Sequence, residues 1–266
     1  MKIVLCGCTK DSEKYIRNHI YKLYTIRNLC NQLRIIIYEN DSTDSTIKIL
    51  KSMVEVDHVI NETLPFKKDR IKTLCHGRNK LLEYVFEHYK NYDLMIMVDL
   101  DDVISEFNYK MLENVFSEYK LSEWDVLTAN NYGVYYDIYA LRTRSNHIWT
   151  SGMNYDCWNT INSQRRQIEL LSGGQISKNE YIELLYRHIK DYQKKIPHTG
   201  DLIPVISAFG GMAIYKINIL DQNTKYNCTE GCEHVGLHKS ISDKGGKIFI
   251  CPMLLTLGEK RNEITF

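Results

Sequence analysis

Short apolar runs rich in β-branched residues alternate with longer stretches whose apolar positions recur every three or four residues. Residues 2–8 (Lys-Ile-Val-Leu-Cys-Gly-Cys) form the first run and predict a strand. Residues 11–33 follow, with Ile16, Ile20, Leu23 and Ile26 on one face of an expected helix. Residues 34–38 predict a second strand, 44–54 a second helix and 58–61 a short third strand. The helical period returns over 69–89 through Ile71, Leu74, Leu81, Leu82, Val85 and Phe86. Residues 94–98 (Leu-Met-Ile-Met-Val) are apolar without interruption, as a central strand covered on both faces should be. This alternation predicts an α/β fold with a mostly parallel sheet and right-handed crossovers.

Beyond residue 102 the pattern loosens. Residues 107–119 predict a helix and 126–129 a strand. Residues 146–204 are polar and aromatic, helical in period between 179 and 194, and predict an insertion that partly covers a site. Residues 208–215 and 247–255 predict further strands, separated by the Cys/His/Glu-rich stretch 228–238. The expected organisation is one domain over 1–266, with a first half through residue 102 and a second half over 103–266 that carries the insertion.

Composition narrows the function classes. The 266 residues are 44% hydrophobic and 25% charged, enough for a single large domain with a real core. A net charge of +1 gives no basis for nucleic acid as a partner. The apolar start is too short for a signal peptide, and no stretch is long enough for a transmembrane segment, so a cytoplasmic location with reduced thiols is expected. Tyr outnumbers Phe by 19 to 7, which suits a polar cleft that stacks on rings and bonds to hydroxyls.

In open α/β sheets ligands bind beyond the carboxyl ends of the strands. Thr9-Lys10-Asp11 follows the first strand, the segment from Glu39 to Thr46 (Glu-Asn-Asp-Ser-Thr-Asp-Ser-Thr) follows the second, and Asp99-Leu100-Asp101-Asp102 follows the apolar run 94–98. Carboxylates delivered to a strand mouth can seat Mn²⁺ or Mg²⁺ against a phosphate pair, since such ions take one or two carboxylates plus substrate oxygens. A single Asp would suffice to cap the next helix, so three point to chemistry rather than capping. The second segment reads either as a plain capped loop or as carboxylates and amides presented to a base and ribose. Arg78 offers a guanidinium that matches phosphate oxygens, although a solvated helix position beside Lys80 is the alternative.

The segments YENDSTDST, GRNKLLEY and VDLDD together resemble the GT-A (Rossmann-like) class of glycosyltransferases. YYDIYALR (135–142), AFGGMAIYK (208–216) and CEHVGLH (232–238) are similar, more narrowly, to fungal capsule-associated α-1,3-mannosyltransferases and related viral glycosyltransferases. The resemblance implies a mixed, mostly parallel GT-A-like sheet flanked by helices. It implies that Thr9, Glu39 and Asn40 contact the nucleoside and that Arg78 approaches the nucleotide or its phosphates. Asp99 would bind ribose or support the metal, Asp101 would be the principal metal ligand, and Gly210 and Gly211 would let the backbone approach the donor sugar.

In the Cys/His/Glu-rich stretch, Glu230 or Glu233 could serve as general base, and the resemblance favours Glu233; His234 or His238 could reach the metal or phosphate, and His238 is taken as a metal ligand. Cys228, Cys232, His234 and His238 offer zinc-type ligands, but their spacing would strain closure around one ion. Asp137 and Arg142 either shape the donor-sugar or acceptor pocket or form a buried ion pair. Asp156 and Trp158 could meet an acceptor sugar, with core packing the stronger expectation for the Trp.

The function expected is transfer of a sugar from a nucleoside-diphosphate sugar, UDP first and GDP second, to a hydroxyl of a glycan or glycoconjugate, with Mn²⁺ or Mg²⁺ as cofactor. A nucleotidyltransferase would carry a glycine-rich basic loop after the first strand, where this chain has Cys8-Thr9-Lys10-Asp11. A non-catalytic sugar-nucleotide or glycan-binding module is the remaining alternative.

Overall fold

The computed structural model describes residues 1–66, 69–143, 155–228 and 231–257. Its centre is a sheet in which β3 (His58–Glu62), β2 (Gln32–Asn40), β1 (Lys2–Thr9) and β4 (Leu94–Asp99) lie side by side in parallel. β8 (Met212–Lys216) then runs antiparallel between β4 and β5 (Val126–Asn131). β9 (Ile248–Thr256) continues parallel to β5, followed by antiparallel β7 (Ile203–Ser207) and the short β6 (Arg142–Thr143). The sheet is mixed, as the resemblance implied.

Alternation along the strands builds two apolar layers. Ile3 and Leu5 of β1, with Ile96 and Val98 of β4, meet α1 (Ile16–Tyr24), α2 (Thr46–Ser52) and α4 (Tyr109–Glu118) through Ile16, Ile20, Leu50, Leu112 and Val115. Val4, Cys6, Met95 and Met97 face the other way. There they meet α3 (Arg70–His88), α5 (Cys157–Ser172), α6 (Lys178–Ile189) and α7 (Glu233–Asp243) through Leu81, Val85, Ile161, Leu185, Val235 and Ile241. α3 lies close on β2 because residue 77 is Gly: a Cβ there would stand 2.5 Å from the Tyr38 ring.

Three expectations about elements need correction. The helix expected over 11–33 is only α1, followed by a 3₁₀ turn at Thr25–Leu29, with β2 already begun at Gln32. Residues 11–13 are drawn away into the neighbouring loop. Asp11 takes a left-handed φ of 48°, its N–H donates to Ser42 Oγ (2.9 Å), and its carboxylate accepts the Thr43 N–H (2.7 Å). The strand expected from 208 starts at Met212, because Gly210 and Gly211 turn through φ of 67° and 91°. In the insertion, α5 precedes the expected helix. It buries only Cys157 and Ile161 and so leaves little periodic signal, although Asp156 caps it through the Asn159 N–H and Gly173 ends it with φ 67°. Residues 146–154 of that insertion and Glu230 lie outside the described residues. Among the described residues no helix is long and apolar enough to cross a membrane.

Candidate active site

The chain leaves β1 to one side to build β2 and β3, then returns on the other side for β4, so the crevice of an open α/β sheet falls between the carboxyl ends of β1 and β4. Register places Cys8 beside Asp99 and Thr9 beside Glu39 there. Asp99 is fixed by its backbone, its N–H donating to Gly211 O at 2.9 Å.

Its side chain is fixed by Arg78. The guanidinium donates from Nη2 to Asp99 Oδ1 at 2.6 Å and from Nη1 to Glu233 Oε1 at the start of α7. It also lies over the rings of Phe209 (5.0 Å) and Tyr226 (5.8 Å). Arg78 is only 2% exposed, which removes the reading of a solvated helix position. Burial opposes its charge, but Glu233 and Asp99 outweigh that and hold it firmly protonated. Its hydrogen bonds run to two protein carboxylates and give it a grip on Asp99. Burial raises the Asp99 carboxyl to about 6, opposed by Arg78 and reinforced by Asp101; Arg70, at the first turn of α3, also acts on it.

Asp101 Oδ1 accepts the Val103 N–H at 3.2 Å, and Asp102 opens a 3₁₀ turn as described by its backbone. Among the described residues no group of three or more His, Cys, Asp or Glu is arranged to hold an ion unaided. Asp99 and Asp101 feel each other's negative charge in the crevice, and two carboxylates are what Mn²⁺ or Mg²⁺ takes from a protein when phosphate and water complete its shell. The donor set fits such an ion. It does not include His238, a correction to the expectation: both of its ring nitrogens are used, Nδ1 with Ser207 Oγ (3.0 Å) and Nε2 with Tyr215 OH (2.9 Å). Burial lowers His238 to about 3, so it is a neutral core residue. The zinc-type ligands also diverge: Cys228 neighbours Cys75, and Cys232 contacts Glu233. His234 stacks on Phe209 with centroids 3.7 Å apart.

The expected nucleoside contacts gather at the ends of β1 and β2, and each is bonded to a residue of a neighbouring loop or strand. Thr9 Oγ1 and Ser12 Oγ share a hydrogen bond at 2.6 Å. Glu39 accepts the Ser42 N–H (2.9 Å) with one oxygen and the Asn61 amide with the other, and Asn40 donates to Asp41 at 3.1 Å. Asp41, like Asp11, holds a positive φ (54°), and such positions cluster where a loop is shaped for a ligand.

Across the crevice, Asp137 Oδ2 accepts the Gly210 N–H at 2.9 Å and Oδ1 the Ala140 N–H at 3.3 Å. Burial raises Asp137 to about 6; the two N–H groups oppose this, while Asp99 and Glu233 add to it. Gly210 and Gly211 thus orient both Asp137 and Asp99. A Cβ on Gly210 would stand 2.4 Å from Ala129 O. The pairing of Asp137 with Arg142 does not form. Arg142 bonds to Tyr139 O (2.9 Å) and Leu141 O (2.8 Å) and pairs with Asp156 at 2.8 Å, which commits both Arg142 and Asp156 to the fold. Trp158 packs on Tyr139 (5.5 Å) and against Gly231, a packing role.

Asn79 is a further residue of this crevice wall, outside the sequence expectations. Its Oδ1 accepts the Tyr226 N–H (2.8 Å) and its Nδ2 donates to Tyr226 O (3.0 Å), clamping the segment before α7 onto α3. The signal was its place beside Arg78 in GRNKLLEY; Tyr226, in a polar loop, offered none.

No family model matches the sequence, and no curated protein matches it. Solved structures do match. Pyrobaculum calidifontis mannosyltransferase PcManGT, in complex with GDP-Man and Mn²⁺, aligns with TM-score 0.52 at 10% identity over 98% of this chain and 58% of that one. S. aureus TarS 1-349, in complex with UDP-GlcNAc, aligns with TM-score 0.51 at 14% identity over 100% of this chain and 62% of that one. The fold is that of the GT-A glycosyltransferases. The chain therefore spans about three fifths of the length of these neighbours, and at such identity the likeness speaks to fold.

Proposed function

We propose that the protein is a metal-dependent glycosyltransferase that moves a sugar from a nucleoside-diphosphate sugar, UDP first and GDP second, to a hydroxyl of a glycan or glycoconjugate. The observation that carries this reading is the placement of Asp99 and Asp101 at the switch point of the sheet, with Asp99 gripped by Arg78, whose other end is held by Glu233. Asp99 and Asp101 would hold Mn²⁺ or Mg²⁺, which supplies Lewis-acid stabilisation of the departing diphosphate. The neighbours bound to GDP-Man with Mn²⁺ and to UDP-GlcNAc support the reaction class and favour neither base. The motifs at 135–142, 208–216 and 232–238 support the narrower likeness to capsule-type mannosyltransferases.

If configuration is inverted, Asp137 is a stronger candidate for the base than Glu233. Glu233 faces a guanidinium it would have to release, whereas Asp137 accepts only backbone N–H groups, and its carboxyl at about 6 lies near a working pH. The test is Mn²⁺-dependent release of UDP or GDP from a donor panel. Asp101→Ala should keep its circular dichroism and melting temperature and lose turnover by about 100-fold or more. Full turnover in that variant would refute the metal clamp, and nucleotide affinity without turnover on any donor would mark a binding module instead.

A further inference from the structure

Cys75 and Cys228 are 153 residues apart in sequence, at positions that the crevice chemistry does not use. Cys75 stands on α3, one turn before Arg78, and its thiol donates to Tyr226 O at 3.2 Å. Cys228 lies two residues beyond that carbonyl, close enough for its thiol to act on that of Cys75. Asn79, one turn further along α3, holds Tyr226 by both backbone groups, so the segment carrying Cys228 is already registered against the helix. Both thiols are free and partly exposed, within reach of a small solute, whereas Cys6, Cys157, Cys232 and Cys251 are buried.

We propose that Cys75 and Cys228 are a redox modification site, closing a reversible disulfide that locks the segment before α7 onto α3. The oxidant is a low-molecular-weight disulfide such as oxidised glutathione. One protein thiolate attacks it, forming a mixed disulfide and expelling one glutathione thiolate. The second protein thiolate then attacks the protein sulfur of that mixed disulfide and expels the other. The two protein thiols are oxidised, one glutathione disulfide is reduced to two thiols, and the two protons end on glutathione. The bond would tie α3, which carries Arg78, to the segment that leads into Glu233 at the start of α7, and cross-linking distant residues restricts the unfolded chain. Burial raises the Cys75 thiol to about 11, reinforced by Cys228, which suits Cys75 to the second, intramolecular step, where proximity offsets a low thiolate fraction.

The experiment equilibrates the folded full-length chain in glutathione buffers of graded potential, then blocks free thiols and maps peptides by mass spectrometry. Wild type should lose two thiols together, yield a peptide pair joined through Cys75 and Cys228, melt several degrees higher, and return to the starting state with dithiothreitol. Cys75→Ser and Cys228→Ser should each leave a glutathione adduct on the remaining partner and show no rise in melting temperature. A map in which Cys75 and Cys228 carry only separate adducts in wild type, or are joined to other cysteines, overturns the proposal. So does persistence of both thiols when a surface dithiol control is fully oxidised. The wild-type map decides the matter even if a variant fails to fold, and it is independent of which ligand the crevice takes.

Discussion

A guanidinium with a carboxylate at each end and an aromatic ring beside it leaves two anions stranded when it is removed. Arg78→Ala should therefore destabilise the protein by about 3–5 kcal/mol in chemical denaturation, the cost of breaking a buried pair from one side. Glu233→Gln, which keeps an acceptor for Nη1 and leaves the Asp99 bond intact, should cost clearly less. Equal stability of Arg78→Ala and wild type would show that this hub does not hold the crevice. The sequence made Arg78 legible as a guanidinium suited to phosphate oxygens. It could not show the partner, because Glu233 lies 155 residues away and only the packing of α3 beside α7 brings them together. His238 failed as a ligand for a related reason: a metal-type residue on a helix says nothing of which ring nitrogens its neighbours consume, and Ser207 and Tyr215 take both.

Among the elements, the strands that read most clearly were those apolar on both faces, β1, β2 and β4, since burial on two sides leaves an unbroken run. Turns leave little trace in the sequence, because left-handed residues interrupt a pattern without altering its hydrophobicity. The turn Gly210-Gly211 is the case that matters, for its N–H holds Asp137 and its carbonyl holds Asp99. Gly210→Ala would meet Ala129 O and adopt a positive φ, so a loss of about 2–4 kcal/mol is expected by thermal or chemical denaturation. Gly174→Ala, whose Cβ would meet nothing within 4 Å, is the control and should change stability by less than about 1 kcal/mol. If the two substitutions behave alike, the tight turn is not a constraint.

At the scale of the whole molecule, the insertion reads correctly as helical and polar, but its described part is a two-helix hairpin rather than one helix. Ile161, Leu185 and Ile189 root it in the core, while Leu170 and Leu171 stand more than four fifths exposed beside Gly173 and Gly174 at its tip. Among the described segments, limited thermolysin digestion should cut first between residues 169 and 175, leaving the two fragments associated on a sizing column. A first cut inside β1, β4 or β8 would contradict this picture of a firm sheet with an accessible hairpin end.

The antiparallel strand wedged between β4 and β5 has a consequence for how the chain acquires its shape during synthesis. The first four parallel strands can assemble from residues 2–99, but one flank of β4 stays bare until 212–216 leave the ribosome, more than a hundred residues later. Over that interval the nascent chain displays an unsatisfied, strongly apolar edge, and the aspartate at its end lacks the backbone carbonyl that seats it. Nascent chains stopped before residue 212 should thus depend on chaperones, and competence for any ligand at that edge should arrive only once residues 212–216 have emerged.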